Sequence, residues 1–378
     1  MKDIVIIDHE PLTPRRKQIF YIDELRAGGF NVQFWDCSRI IHRNFSLADT
    51  LEEPYVSVIG NHKELEDKLN QTDTSNIIFV GEVFELWKNR KFFKTINNHH
   101  IQLIRMWMYS TAIINAPFSQ KLKELTPKRV LKSIKNRLST AAMRFYFRRC
   151  HITAYPHLIT TDRNPRAELV LNHPDWDLYL KTSGKPRSSD LPTVPYTVFL
   201  DEFFPLHPDA KLILGEDLSQ YANDYYKTLR DFFARYEQAT GQHVIIAAHP
   251  KSDYPDKVFG GRKIMKYRSI ELVQHAEAVF LHGSASVSFA VMYNKPTLFI
   301  TTDQYNRSER SARHIKELSK LLGKAPVNIS FEKQPIPGIT PFKDPIRDNY
   351  IYQFLTTPQT MDKENKDLLL KYFLNFKI

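Results

Sequence analysis

Apolar residues along this chain fall in short unbroken blocks separated by amphipathic stretches. Ile4–Ile7 is four apolar residues in a row, the mark of a strand buried on both faces. A polar loop, Asp8 to Lys17, follows it, then a helical stretch over Gln18–Ala27 halted by Gly28-Gly29, then a second strand at Asn31–Trp35. That succession predicts a βαβ unit opening a parallel sheet. The pattern repeats at Tyr55–Ile59, at the helix Lys63–Leu69 and at the strand Asn76–Val80. Residues 82–115 read as helical, with Phe84, Trp87, Phe92, Phe93, Ile96 and Ile101 as the apolar positions, and strands are predicted at His151–Ala154 and His157–Thr160.

Residues 181–195, KTSGKPRSSDLPTVP, concentrate proline, glycine and serine and read as a linker. Beyond them the alternation restarts. Strands are predicted at Tyr196–Leu200, Val244–Ala248, Ala278–Leu281 and Thr297–Ile300, and helices at Tyr221–Gly241, Ile270–His275 and Ser286–Tyr293. Lys363–Phe376 carries leucines and phenylalanines at helical spacing. The expected organisation is α/β: a Rossmann-like domain over 1–180, the linker 181–195, a second Rossmann-like domain over 196–345, and a helical segment over 346–378. Two such domains are expected to face each other across a cleft, with ligands at the carboxyl ends of the strands.

The 378 residues allow about two domains, and 42% hydrophobic with 25% charged residues excludes a mainly disordered chain. Two cysteines, Cys37 and Cys150, make neither a disulfide framework nor a multi-cysteine zinc site and fit a reducing compartment. The apolar run at Ile4–Ile7 is too short for a signal-peptide core, and no stretch approaches the ~20 apolar residues of a membrane span. The expectation is a soluble, cytoplasmic protein that at most rests on a membrane surface.

Three predicted strand ends carry chemistry. After Tyr196–Leu200 come Asp201 and Glu202, then His207-Pro208-Asp209. After Val244–Ala248 come His249, Pro250 and Lys251. After Ala278–Leu281 come His282, Gly283, Ser284, Ala285 and Ser286, leading into a helix. A strand running through Gly-Ser-x-Ser into a helix offers amide N–H groups, hydroxyls and the positive helix end at one point, which suits a phosphate; a serine there also serves as a simple helix cap. His249 and Lys251 add donors to the same phosphate, or form a surface turn. A carboxylate such as Asp201 or Glu202 can act as general base toward an attacking hydroxyl. Asp8, Glu10 and Glu82, each following a first-half strand, are alternative bases. Asp175-Trp176-Asp177 has the D-x-D spacing of a Mg²⁺ or Mn²⁺ site, a spacing common by chance, and no metal or other cofactor is expected.

The order acidic pair, His-Pro, serine pair resembles the short motifs of bacterial sialyltransferases and related transferases of Kdo and other nonulosonic acids. The resemblance covers mainly residues 196–300. It implies the GT-B fold of two facing Rossmann-like domains and an inverting, metal-independent transfer from a CMP-sugar to a hydroxyl of a surface glycan such as lipopolysaccharide, O-antigen or capsule. Asp201 or Glu202 would be the base. His249, Pro250, Lys251, His282, Gly283, Ser284 and Ser286 would bind the donor. This chain departs from the motifs in two places: no glycine follows the acidic pair, and Ala285 separates the serines. Where UDP- and GDP-sugar enzymes often place a ribose-binding glutamate, this chain has Phe289 or Ala290. A UDP-sugar or CDP-polyol donor is the alternative within the same fold. A non-catalytic membrane or nucleic-acid binder is the alternative outside it.

The net charge of +11 is concentrated in one place. Residues 121–149 hold ten bases and one acid, so nine of the eleven charges lie there. Leu131, Ile134, Leu138, Ala141 and Phe145 recur at steps of three and four, flanked by Lys128, Arg129, Lys132, Lys135, Arg137, Arg144 and Arg148. A basic amphipathic helix predicts attachment to an anionic membrane; the competing reading packs the apolar stripe on its own domain. No zinc spacing, RNP-type motif or helix-turn-helix pattern supports a nucleic-acid partner.

Overall fold

The computed structural model describes residues 2–42, 50–108, 127–207, 217–331 and 335–377, with the side chains of the helix Pro127–Arg149 described from residue 134 onward. Described residues up to Pro174, with Gln359 onward, form one compact unit, and Asp175–Pro358 form a second.

In unit 1 the strands are β1 (Asp3–Asp8), β2 (Asn31–Asp36), β3 (Val56–Val58), β4 (Ile77–Glu82), β5 (Leu103–Trp107), β6 (His157–Thr160) and β7 (Leu169–Val170). They lie in the order β3-β2-β1-β4-β5-β6-β7, and all their pairings are parallel. Alternation along the strands divides the side chains between two cores. Ile4, Ile6, Val32, Phe34, Ile78 and Val80 enter one; Val5, Ile7, Trp35, Ile77 and Phe79 enter the other. The register sets Asp8 level with Asp36 and with Glu82, so three carboxylates end adjacent strands at one edge.

In unit 2 the strands are β8 (Tyr196–Leu200), β9 (His243–Ala248), β10 (Ile264–Lys266), β11 (Ala278–Leu281), β12 (Thr297–Thr301) and β13 (Val327–Asn328), in the order β10-β9-β8-β11-β12-β13. Leu200 pairs with Ala247 and with Leu281, which places the next residues of three strands at one level. Each sheet is doubly wound, as expected, with its strand order reversing beside β1 and β8 respectively.

The boundaries differ from those read in the sequence. Residues 181–195 do not act as a free linker. Leu191 is buried in the unit 2 core, the Lys263 ammonium donates to the Asp190 carbonyl, and Asp190 pairs with Arg268. The chain passes between units at Pro174 and Asp175 instead. The final helix, Asn365–Asn375, joins unit 1, where Leu369 and Phe373 are fully buried. Its approach explains Gly28, where a Cβ would overlap Leu370. Residues 82–115 are not one helix: among the described residues, up to 108, the α-helix spans Arg90–Asn98 and is followed by β5. His151–Ala154 is a turn rather than a strand, with His151 in the left-handed region at φ 51°. Among the described residues no helix is long and apolar enough to cross a membrane.

Candidate functional site

Asp201 leaves β8 at the point where the strand order of unit 2 reverses. Its side chain is buried, at 4% exposure. Its Oδ2 accepts from the Tyr254 hydroxyl at 2.5 Å, while Oδ1 has no hydrogen-bond partner among the described residues. Glu202 follows. Its Oε2 accepts from the Tyr305 hydroxyl at 3.2 Å, and its Oε1 is likewise unpartnered and lies near Gly283. Burial pushes Asp201 up to about 6, against a smaller opposing pull from the Tyr254 hydroxyl. Burial pushes Glu202 up to about 7, and the Asp201 charge adds to the rise. Two carboxyls changing charge near neutrality have the proton affinity that a general base needs, and each keeps one buried oxygen without a hydrogen-bond partner among the described residues.

The missing glycine after this pair has a structural counterpart. Phe203 sits at φ 60°, in the left-handed region that favours glycine. An aromatic residue holds this conformation at a cost of about 1–2 kcal/mol, which its buried ring, 5% exposed and edge-on to Tyr254, helps to offset.

The His-Pro turn after β9 lies beside the acidic pair. The Ser252 amide and hydroxyl both donate to the His249 carbonyl, and the Lys251 amide donates to His249 Nδ1. Pro250 and Lys251 are exposed. The loop then delivers Tyr254 to Asp201. His207 meets His249 edge-on, ring centres 4.7 Å apart, so the histidines of two His-Pro pairs converge. Pro208 and Asp209 lie outside the described residues.

At the end of β11 the sequence reading is corrected for one residue. His282 is fully buried. Its Nδ1 lies 2.6 Å from the Ile300 carbonyl and its Nε2 2.7 Å from the Tyr225 hydroxyl, so both nitrogens are spent. Burial holds its ring at about 4, hence neutral, and it stacks on Tyr305, the tyrosine that bonds Glu202. His282 braces the acidic pair and is not placed to donate to a ligand. Gly283 and Ser284 turn past Glu202, and His314 Nε2 lies 2.9 Å from the Gly283 carbonyl. The Ser286 amide donates to Ser284 Oγ at 3.2 Å, and Ser286 makes no side-chain cap. The helix after it, Val287–Met292, has six residues, all buried, so its dipole contributes little. Phe289 and Ala290 lie inside that buried run. The D-x-D acids are engaged structurally: Asp177 pairs with Lys181 at 2.9 Å and Asp175 accepts from Ser288 Oγ. Among the described residues no group of three metal-ligating side chains occurs.

Unit 1 has a second cluster at its own reversal point. Arg16, 3% exposed, donates to Asp8 and to Glu82 at 2.8 Å each and lies 3.1 Å from Glu10. The three first-half acids proposed from sequence therefore share one guanidinium. His9, which sequence reading passed over, lies against them, with Nδ1 2.6 Å from the Glu82 carbonyl and 3.0 Å from Asp8. Burial alone would lower the His9 ring, but the bond to Asp8 and its charge outweigh this and leave it raised. Glu82 is raised by burial against the pull of Arg16. Along β5 and β6 a cavity of about 450 Å³ is lined by Arg105, Trp107, Tyr155, Asp162 and Arg166 among others.

No family model and no curated protein matches this chain. Comparison with solved structures returns distant likenesses. The calicheamicin glycosyltransferase CalG4 is 12% identical over 87% of this chain and 86% of its own, with a TM-score of 0.42. The UDP-GlcNAc 2-epimerase of Methanocaldococcus jannaschii is 11% identical over 100% of both chains, with a TM-score of 0.47. MurG of Acinetobacter baumannii is 8% identical over 100% of this chain and 96% of its own, with a TM-score of 0.40. At these scores the likenesses carry no argument about activity.

Proposed function

We propose that this chain is an inverting, metal-independent glycosyltransferase that moves a nonulosonic-acid-type sugar from a CMP donor to a hydroxyl of a bacterial surface glycan. One observation carries the reading: β8 and β11, adjacent at the reversal point of unit 2, hold the acidic pair Asp201-Glu202 against the Gly283-Ser284 turn. Asp201 or Glu202 takes the proton of the acceptor hydroxyl, whose oxygen forms the new bond to the anomeric carbon. The bond from that carbon to the CMP phosphate breaks, and the phosphate keeps the electron pair. Ser284, Ser286, the amides around them and the His249–Lys251 turn supply donors to that phosphate.

A second assignment of the base has its own observation in its favour. His9 is held through Nδ1 by Asp8 and the Glu82 carbonyl, the arrangement that orients an imidazole for proton transfer at Nε2. In this assignment Asp8 and Glu82 act through His9 and Arg16.

Thermal shift with CMP, CDP, UMP, UDP and GDP, with and without Mg²⁺, tests the donor. Selective stabilisation by CMP, independent of metal, is expected; a preference for UDP or GDP refutes the CMP reading. An unchanged CMP response in His249→Ala removes that turn from the site. Asp201→Asn and His9→Ala then separate the two bases. The one that abolishes transfer while keeping CMP binding identifies the base.

A further inference from the structure

The helix Pro127–Arg149 packs on unit 1 through Met143, Tyr146 and Phe147. Its predicted apolar stripe is elsewhere. Ile134 is 49% exposed, Leu138 66% and Phe145 71%, and Ala141 between them is also exposed. At about 100° per residue these four lie within an arc of about 60°, opposite Met143. Arg137, Arg144 and Arg148 line one flank of this row, and Lys135 and Arg149 the other, all exposed. No carboxylate pairs with any of these five among the described residues. Trp87, 38% exposed, stacks edge-on against Tyr146 of the same helix, and Leu86 beside it is 48% exposed. The side chains of Lys128, Arg129 and Lys132 lie outside the described residues.

An exposed apolar row between two rows of unpaired bases matches the layering of an anionic bilayer surface. Acyl chains receive the apolar row, and phosphate headgroups receive guanidinium and ammonium groups that reach outward on their own apolar stems. We infer that residues 134–149 form an interfacial helix that docks unit 1 on an anionic membrane, with Ile134, Leu138 and Phe145 inserted and Lys135, Arg137, Arg144, Arg148 and Arg149 at headgroup level. Three residues past Arg149, the chain enters the wall of the β5–β6 cavity at Ile152 and Thr153. Docking therefore brings that cavity near lipid-borne molecules. The inference stands whatever reaction the chain performs.

Sedimentation of the full chain with phosphatidylcholine vesicles, and with phosphatidylcholine–phosphatidylglycerol vesicles, tests it. Binding to the anionic vesicles alone, weakened by salt, is expected. Each of R137Q, R144Q and R148Q should lower the partition coefficient about fivefold, the equivalent of about 1 kcal/mol per base. Leu138→Ser with Phe145→Ser should lower it at least tenfold, with the thermal melt unchanged because both side chains are exposed in the folded chain. Negligible or equal binding to both vesicles overturns the inference. So does anionic binding that the double serine variant leaves intact, because the row would then not be inserted. A dimer in solution that the serine variant dissociates assigns the row to a second copy. Duplex binding lost in the arginine variants without vesicle binding assigns the bases to nucleic acid. Either result overturns membrane docking.

Discussion

Replacing Asp201 by asparagine tests the physical basis of the acidic pair. The amide keeps the shape and the oxygen that accepts from Tyr254, and it removes ionisation. In the folded chain the carboxyl titrates at about 6 against an ordinary 3.8, because burial disfavours the charged form. The folded state thus holds the proton more tightly than the unfolded one. The contribution of this group to stability is greatest below pH about 4 and is lost as pH rises through about 6. At 1.36 kcal/mol per decade, the wild-type protein should lose roughly 2 kcal/mol between pH 4 and pH 8 through this group alone. Asp201→Asn lacks that loss. Whatever the amide's extra donors cost is the same at both pH values and cancels in the comparison. Amide-exchange protection of Phe199 and Leu200, in the central strand β8, reports this locally and avoids treating two units as one transition. The variant should gain on wild type by roughly 2 kcal/mol from low to high pH. An equal gap at both values would show that Asp201 ionises at its ordinary value, and the tuned-base argument would fall.

Arg16→Met leaves Asp8 and Glu82 buried without their cation. It should cost about 3–5 kcal/mol, more at pH 8 than at pH 5, because burial already raises Glu82 and the loss of Arg16 removes the pull that opposes the rise; thermal melts at both values check this. Phe373→Ala should cost about 3–5 kcal/mol in the amide protection of β1 and β2 and leave β8 unchanged. Gly283→Ala sets a methyl 2.6 Å from the His314 ring, which is exposed and can swing away. A stability loss of about 1 kcal/mol from its bond to the Gly283 carbonyl, together with loss of the CMP response, is expected from a melt with and without nucleotide.

Strands buried on both faces were legible because an unbroken apolar run has few other uses: Ile4–Ile7, Asn76–Val80 and Ala278–Leu281 all fall on central strands. β5 was not, because Arg105 interrupts it and the preceding aromatics carry helical spacing into it. The terminal helix announced an apolar face, but periodicity names a face and not the surface that covers it. The same gap left the stripe of the basic helix undecided until its exposure was seen. In the site, strand-end acids could be found by position. Their partners Tyr254 and Tyr305 could not, since they lie 53 and 103 residues further along. His9 was missed because a histidine in a polar loop looks like a surface turn until Asp8 and Glu82 enclose it.

The return of the last helix to unit 1 sets an order of events during synthesis. All seven strands of that unit have been made by residue 170, yet Leu369 and Phe373 complete its core, with Phe373 meeting Phe30 at 6.3 Å between ring centres. At ribosomal speeds of about 5–20 residues per second, roughly 10–40 s pass between the two. Through that interval Ile22, Leu25 and Phe30 lack their lid, while all of unit 2 is translated and free to fold. The nascent chain carries an open apolar seam for most of its birth, so its yield in the cell should depend on chaperone capacity more steeply than its final stability would suggest.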